Sequence, residues 1–289
     1  MLTACIYGVD LDPIAVQVAQ MSLCLKVLED ETQEALAREK SLFPKETYLP
    51  DLDQNVVHAN SLVPLSAYPD LISDEYLARS NAVDWAALMA RTSRRSGFDA
   101  VVGNPPWGAE LDEGAARVVR KLHQPVIVRM PDTYIYFAHL SIDSLLRPGG
   151  RFGMVLPGTL LNQTDAAALR RYLVDHGVDA VANLGEAVFG DATNTTCLIV
   201  ATKGGKHSDQ ILVNDVRDVQ AEAREIAITR WTSIDRAEWE TAVRSDKSTT
   251  FFTRDFGRVA AMHYARTALG TLADAIDDLG IQRGSPRMS

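Results

Sequence analysis

The densest chemistry in the sequence lies in the run Phe98-Asp99-Ala100-Val101-Val102-Gly103-Asn104-Pro105-Pro106-Trp107. Asn104 offers a side-chain carbonyl acceptor, and the backbone carbonyl of Pro105 offers a second beside it. A planar conjugated amine has two N–H bonds. Accepting both draws its lone pair out of conjugation, so that it can attack a sulfonium methyl in line. Pro105 and Pro106 suit the turn because proline donates no hydrogen bond and fixes φ, which holds the carbonyls rigid. Trp107 would stack on the ring that bears the amine. If that ring is a base flipped out of a duplex, an aromatic platform offsets about 1–3 kcal/mol of the lost stacking. The plainer alternative is a Pro-Pro turn that ends a strand, with its Trp packed in the core. The Asp-Ala-Val-Val-Gly strand before the turn and an acid-ended strand upstream favour the chemical one.

That upstream strand supplies the second element. Residues 4–10 form a short apolar run ending at Asp10, an acid placed at the carboxyl end of a strand to accept both ribose hydroxyls of a nucleotide-like cofactor. Asp12 could substitute, but its place before Pro13 makes it the better helix cap. Asn60, at the end of a brief strand Val56-Val57-His58-Ala59, can meet an adenine amino group or ring nitrogen with its amide, or can simply form a turn. His58, His123 and His139 have no mutual spacing that suits a metal, and packed or solvated imidazoles are expected. Cys5, Cys24 and Cys197 lie apart in apolar runs, as buried thiols rather than a disulfide framework or zinc site.

Positioning these residues requires strands alternating with helices. The sequence predicts a helix from Ile14 to Leu28 buried on a wide face, a strand over 98–103, a helix over 133–146, a strand over 151–156 and a helix over 165–174. Strands over 178–184 and 195–202 follow with no helix between them, which predicts an antiparallel pair at one edge, and 210–213 can add another strand. The fold class is α/β, a doubly wound, mostly parallel Rossmann-like sheet. Composition agrees with a globular chain: 289 residues, 46% hydrophobic and 23% charged. No apolar stretch approaches the ~20 residues of a membrane span and no basic leader opens the chain, so a cytoplasmic location is expected. The net charge of -9 opposes sequence-independent attraction to a polyanion. Local basic clusters at Arg91, Arg94, Arg95 and at Arg117, Arg120, Lys121 read first as solvated faces.

On its motifs the chain resembles the adenine-specific DNA methyltransferases of Eco57I type, including the large methylases of phage-defence systems. The matching stretches are Tyr7-Gly8-Val9-Asp10-Leu11-Asp12-Pro13, residues 52–62, Asn104-Pro105-Pro106-Trp107, Arg151-Phe152-Gly153-Met154-Val155-Leu156-Pro157 and residues 194–200. The resemblance implies a class I methyltransferase sheet, S-adenosylmethionine as cofactor, and methyl transfer to N6 of a flipped adenine in double-stranded DNA, within a restriction-modification or phage-defence system. It implies that Asp10 with Leu11 lies on the cofactor ribose, Asn60 with Ser61 beside its adenine, Asn104 and Pro105 on the target amine, and Pro106 and Trp107 in the catalytic turn. No metal is implied.

Family members also carry, before the Asp10 strand, a central strand and an F-x-G-x-G loop that wraps the methionine end of the cofactor; this chain starts past it. The expected domains are a partial catalytic core over 1–205, a connector over 206–265 and the opening of a target-recognition domain over 266–289. A chain lacking the central strand is expected to bind cofactor poorly alone. A partner segment supplying the Gly-rich loop, as in a split enzyme, or an inactive remnant are the alternatives within this family. Methylation of a protein glutamine amide, also planar, is the alternative outside it.

Overall fold

The computed structural model describes residues 2–28, 50–66, 72–92, 96–128, 132–189, 194–204, 207–245, 250–251 and 253. Two compact units result: Met1–Met154 with Lys203–Gly205, and Val155–Thr202 with Lys206–Ser289.

In the first unit a helical turn, α1 (Leu2–Cys5), precedes β1 (Gly8–Asp10), which pairs in parallel with β2 (Val56–His58) and sets Asp10 opposite His58. The single strand expected over residues 4–10 is therefore corrected. Buried Asn55 donates through Nδ2 to the carbonyls of Thr3 and Ile6 at 3.0 and 2.8 Å, and these bonds pin the helical turn that shortens the strand. Cys5 consequently lies exposed rather than buried, whereas Cys24 and Cys197 are buried.

Helix α2 (Pro13–Leu28) starts where Asp12 Oδ1 accepts from the Ile14 amide at 2.8 Å. It buries Val16 and Cys24, but Ile14, Val18, Met21 and Leu25 are 67%, 59%, 65% and 50% exposed. The wide buried face expected for this helix is thus absent. The reason is width. Two three-residue strands make a ribbon about 10 Å across, too little to cover a helix of some 24 Å that carries apolar residues all round.

The brief strand expected to end at Asn60 is instead two. After β2 the chain re-enters as β3 (Asn60–Pro64), which pairs in parallel with β4 (Ala82–Val83) beyond α3 (Asp74–Arg79). Helix α4 (Trp85–Ala90) follows, and Trp85 donates its indole N–H to the Ser61 carbonyl at 3.1 Å. β5 (Phe98–Gly103) has the bounds expected and pairs in parallel with β6 (Leu146–Pro157), which begins before Arg151. Gly150 permits this early start: a Cβ there would lie 2.8 Å from the Arg147 carbonyl oxygen and 2.9 Å from that of Phe98. Among the described residues β5 pairs only with β6 and β1 only with β2, and Val102 on β5 is 80% exposed. Each thus keeps an open ladder edge.

Between β5 and β6 lie α5 (Glu113–Leu122) and α6 (Thr133–Leu140), after which Ser141–Leu145 form a π turn where the sequence predicts helix to 146. Asp112 caps α5 through the Ala115 amide at 2.8 Å, and Tyr76 donates to the same carboxylate at 2.6 Å, which lowers the Asp112 pKa, while burial and then this bond push Tyr76 up to about 12. Leu62, Val119, Tyr136, Leu140 and Leu145 form the core here, with Phe98, Val101 and Trp85 packed on it.

His123 and His139, both buried, close that core with their Nδ1 atoms 3.0 Å apart. Burial, and then the neighbouring imidazole, lower the His123 pKa from 6.5 to about 4. Its folded value lies below its unfolded one, so as pH falls the unfolded chain takes up the proton first. The stabilisation is complete above pH 6.5 and is lost as pH falls from 6.5 towards about 4. That loss should reach about 3 kcal/mol. Urea unfolding at pH 7 and pH 4.5 should therefore show a steeper loss of stability for the wild type than for His123→Asn; equal losses would contradict the assignment.

In the second unit β7 (Val178–Gly185) pairs antiparallel with β8 (Thr196–Thr202) and parallel with β9 (Gln210–Asp215), to which β10 (Thr232–Asp235) adds antiparallel. Helix α7 (Ala167–His176) buries Leu169, Leu173 and Val174. α8 (Ala221–Ala227) and α9 (Arg236–Ser245) follow, and Trp239 is fully buried with its ring 5.2 Å from that of Phe251. Within this unit the strand order is β10-β9-β7-β8. The expected antiparallel pair is β7–β8, and β7 also pairs in parallel with β9 on its other side. Residues 206–245, expected as connector, supply β9 and β10, and the antiparallel edge strand is β10. Residues 266–289 lie outside the described residues, as do Arg94 and Arg95. No helix of the described residues is long and apolar enough to cross a membrane.

Candidate active site

The predicted site residues all lie in the first unit, at the ends of its strands. At the end of β1, Asp10 is exposed and its Oδ1 accepts from the Asp12 amide at 2.8 Å. That bond fixes the carboxylate and leaves lone pairs for other donors. Leu11 is 59% exposed, and its carbonyl meets His58 Nε2 at 3.0 Å. The Asp10 carbonyl accepts from the Ala59 amide at 2.9 Å, so the chain leaving β2 is tied to the end of β1 and Asn60 follows at once. Asn60 and Ser61 are half-buried. Asn60 Oδ1 accepts from the Leu62 amide at 3.1 Å, which makes it a turn former as well as a candidate ligand. The structure thus brings Asp10, Leu11, Asn60 and Ser61 together.

The second group follows β5. Asn104 is exposed, and its side chain makes no hydrogen bond to another described residue. Pro105 is buried, Pro106 is exposed and the Trp107 side chain is half-buried, with its Nε1 buried and lacking an acceptor among the described residues. The turn is braced from behind by the start of α6. Gly108, at φ +66°, donates its amide to Asp132 Oδ1 at 2.7 Å. Thr133 Oγ1 donates to the Pro106 carbonyl at 2.8 Å and accepts from the Ala109 amide at 3.3 Å. Sequence reasoning missed both residues. Asp-Thr before an apolar helix signals a cap, and only the fold shows that these side chains serve a turn some 24 residues earlier.

The two groups are linked through apolar packing. Leu62, just after Ser61, shares a core cluster with Val101 and Phe98 of β5, and the Tyr7 ring before β1 lies 5.5 Å from that of Phe98. Chemically, the unit offers an exposed amide side chain at a rigid turn, an aromatic residue in the same turn, and an exposed carboxylate at the end of another strand. Basic side chains near it are committed or solvated: Arg91 donates to Gln54 at 2.8 Å, Arg117 pairs with Glu113, and Arg120 and Lys121 are exposed. Among the described residues no group of His, Cys, Asp and Glu could hold a metal ion.

The type II restriction enzyme and methyltransferase RM.Eco57I of Escherichia coli is 27% identical over 225 residues, covering 75% of this chain and 20% of that protein. The type II methyltransferase M.TthHB8I of Thermus thermophilus is 32% identical over 116 residues, 38% of this chain and 27% of that one. The chain therefore spans about a fifth to a quarter of these relatives. A nuclease-deletion mutant of the type ISP restriction-modification enzyme LlaGI, solved with a DNA substrate mimic, shares the fold with a TM-score of 0.55 over 85% of this chain and 21% of that one, at 14% identity. Residues 4–189 match the Eco57I restriction-modification methylase family, and the chain belongs to that family.

Proposed function

We propose that this chain carries the catalytic turn of a DNA methyltransferase that transfers a methyl group from S-adenosylmethionine to N6 of adenine in DNA, as part of a restriction-modification or phage-defence system. The observation that carries this is the exposed, uncommitted Asn104 side chain on a turn braced by Asp132 and Thr133, with Trp107 beside it. Family membership supports the same chemistry. S-adenosylmethionine, when bound, supplies the electrophilic methyl. Asn104 and the Pro105 carbonyl accept the two N–H bonds of the adenine amine, which localises the lone pair and aims it. Trp107, with Pro106 holding the turn, stacks on the flipped base. Asp10 and Leu11 take the ribose of the cofactor, and Asn60 and Ser61 lie beside its adenine. The exposed, oriented Asp10 carboxylate fits that role.

The open edges of β1 and β5 favour an addition to this reading. A strand bearing a Gly-rich loop, seated between them from a segment outside residues 1–289, completes the cofactor site. In the same reading residues 266–289 open the target-recognition part.

Labelled S-adenosylmethionine, offered to the chain completed by a segment bearing the Gly-rich loop, with duplex DNA and protein acceptors side by side, tests the assignment. We expect N6-methyladenine on digestion of the DNA. Label recovered in a glutamine amide, or in a DNA base other than adenine, would overturn it.

A further inference from the structure

Asp132 and Thr133 open α6, yet Asp132 caps no backbone N–H of its own helix; its Oδ1 accepts from the Gly108 amide at 2.7 Å and lies 3.2 Å from the Thr133 hydroxyl. Thr133, 3% exposed, holds the Pro106 carbonyl and the Ala109 amide. The Pro106 carbonyl and the Gly108 N–H belong to the two peptide planes that flank Trp107. Peptide planes are rigid, so holding both fixes φ and ψ of the residue between them. The Trp107 indole N–H has no acceptor among the described residues. The held backbone thus sets the direction of its Cα–Cβ bond, and no hydrogen bond of its own to a described residue orients the ring.

Resting on the reading of the turn as a methyl-transfer site, we propose that Asp132 and Thr133 are positioning residues that aim the Trp107 ring and so set the seat for the target base. Neither touches the reacting atoms. Thr133 does this through one hydroxyl that donates and accepts at once, a function serine keeps and valine, of the same shape, loses.

The test labels the 289-residue chain with 5-fluorotryptophan, whose four tryptophans give four fluorine signals, with that of Trp107 assigned through Trp107→Phe. Thr133→Val should shift and broaden the Trp107 signal while those of Trp85 and Trp239 stay in place, and Thr133→Ser should restore it. A Trp107 signal unmoved in Thr133→Val overturns the proposal. Should the Trp85 signal move too, the fold has been disturbed, and Asp132→Ala decides by the same criterion. In the methylation assay, Thr133→Val should raise KM for DNA about ten-fold, from the loss of one or two net hydrogen bonds, with KM for S-adenosylmethionine unchanged. Absence of methylation by the wild type completed with the Gly-rich segment would count against the proposed activity, whereas the fluorine signals of the 289-residue chain judge the positioning role by themselves.

Discussion

Asn104→Ala, made in a preparation of the chain that methylates DNA, should lower kcat by about 10²–10³-fold, the usual consequence of removing one preorganised polar group that acts mainly in the transition state. The amide carbonyl matters most when the amine rehybridises, so KM for DNA and for cofactor should change little. The side chain is exposed and bonded to no other described residue, and its removal leaves no buried group unsatisfied. Thermal stability should accordingly stay within about 0.5 kcal/mol of wild type. Asn104→Asp separates acceptor geometry from charge. It keeps an oxygen in place but puts a negative charge beside the methyl-donating sulfonium site, and should retain more activity than alanine. Trp107→Ala should behave oppositely to Asn104→Ala, raising KM for DNA through the loss of about 1–3 kcal/mol of stacking. A kcat of Asn104→Ala within a factor of three of wild type would remove Asn104 from the chemistry.

What was legible in the sequence divides along physical lines. β5 was read with its correct bounds because Gly97 and Pro105 punctuate an apolar run from both sides, a local signal. Asp12 as cap was local too, since its carboxylate reaches only two residues on. The misreadings were tertiary. Nothing in residues 4–10 tells that Asn55 will seize the Thr3 and Ile6 carbonyls. The alternation of strands and helices showed a doubly wound sheet but not that β9 would pair in parallel with β7 rather than with β8, the strand before it. The π turn at Ser141–Leu145 begins where Ser141 bonds back to the Phe137 carbonyl at 2.7 Å, a hydroxyl choice that periodicity does not encode. The site shows the same split. Its chemistry-bearing residues were visible as types and spacing, while Asp132 and Thr133, which hold them, became visible only once α6 was packed behind the turn.

Calorimetric titration of the 289-residue chain alone with S-adenosylmethionine should show binding no tighter than about 1 mM, some 4 kcal/mol. The sum is short. Two ribose bonds to Asp10 and one contact at Asn60 supply about 0.5–1.5 kcal/mol each, against an association cost of at least about 4 kcal/mol. The missing contribution is enclosure. β1 and β5 each carry one hydrogen-bonded neighbour among the described residues, Val102 on β5 is 80% exposed, and Ile14, Val18, Met21 and Leu25 leave α2 half uncovered. Mixing the chain with a second polypeptide that bears an apolar strand followed by an F-x-G-x-G loop should bring cofactor binding into the micromolar range. It should also slow amide hydrogen exchange in β5, because a new ladder forms on its open edge. The two readouts separate the causes. Slowed exchange without tighter binding would mean that the strand docks while the loop fails to reach the cofactor. Micromolar binding by the chain alone would show that the walls already described suffice and would remove the need for the added strand.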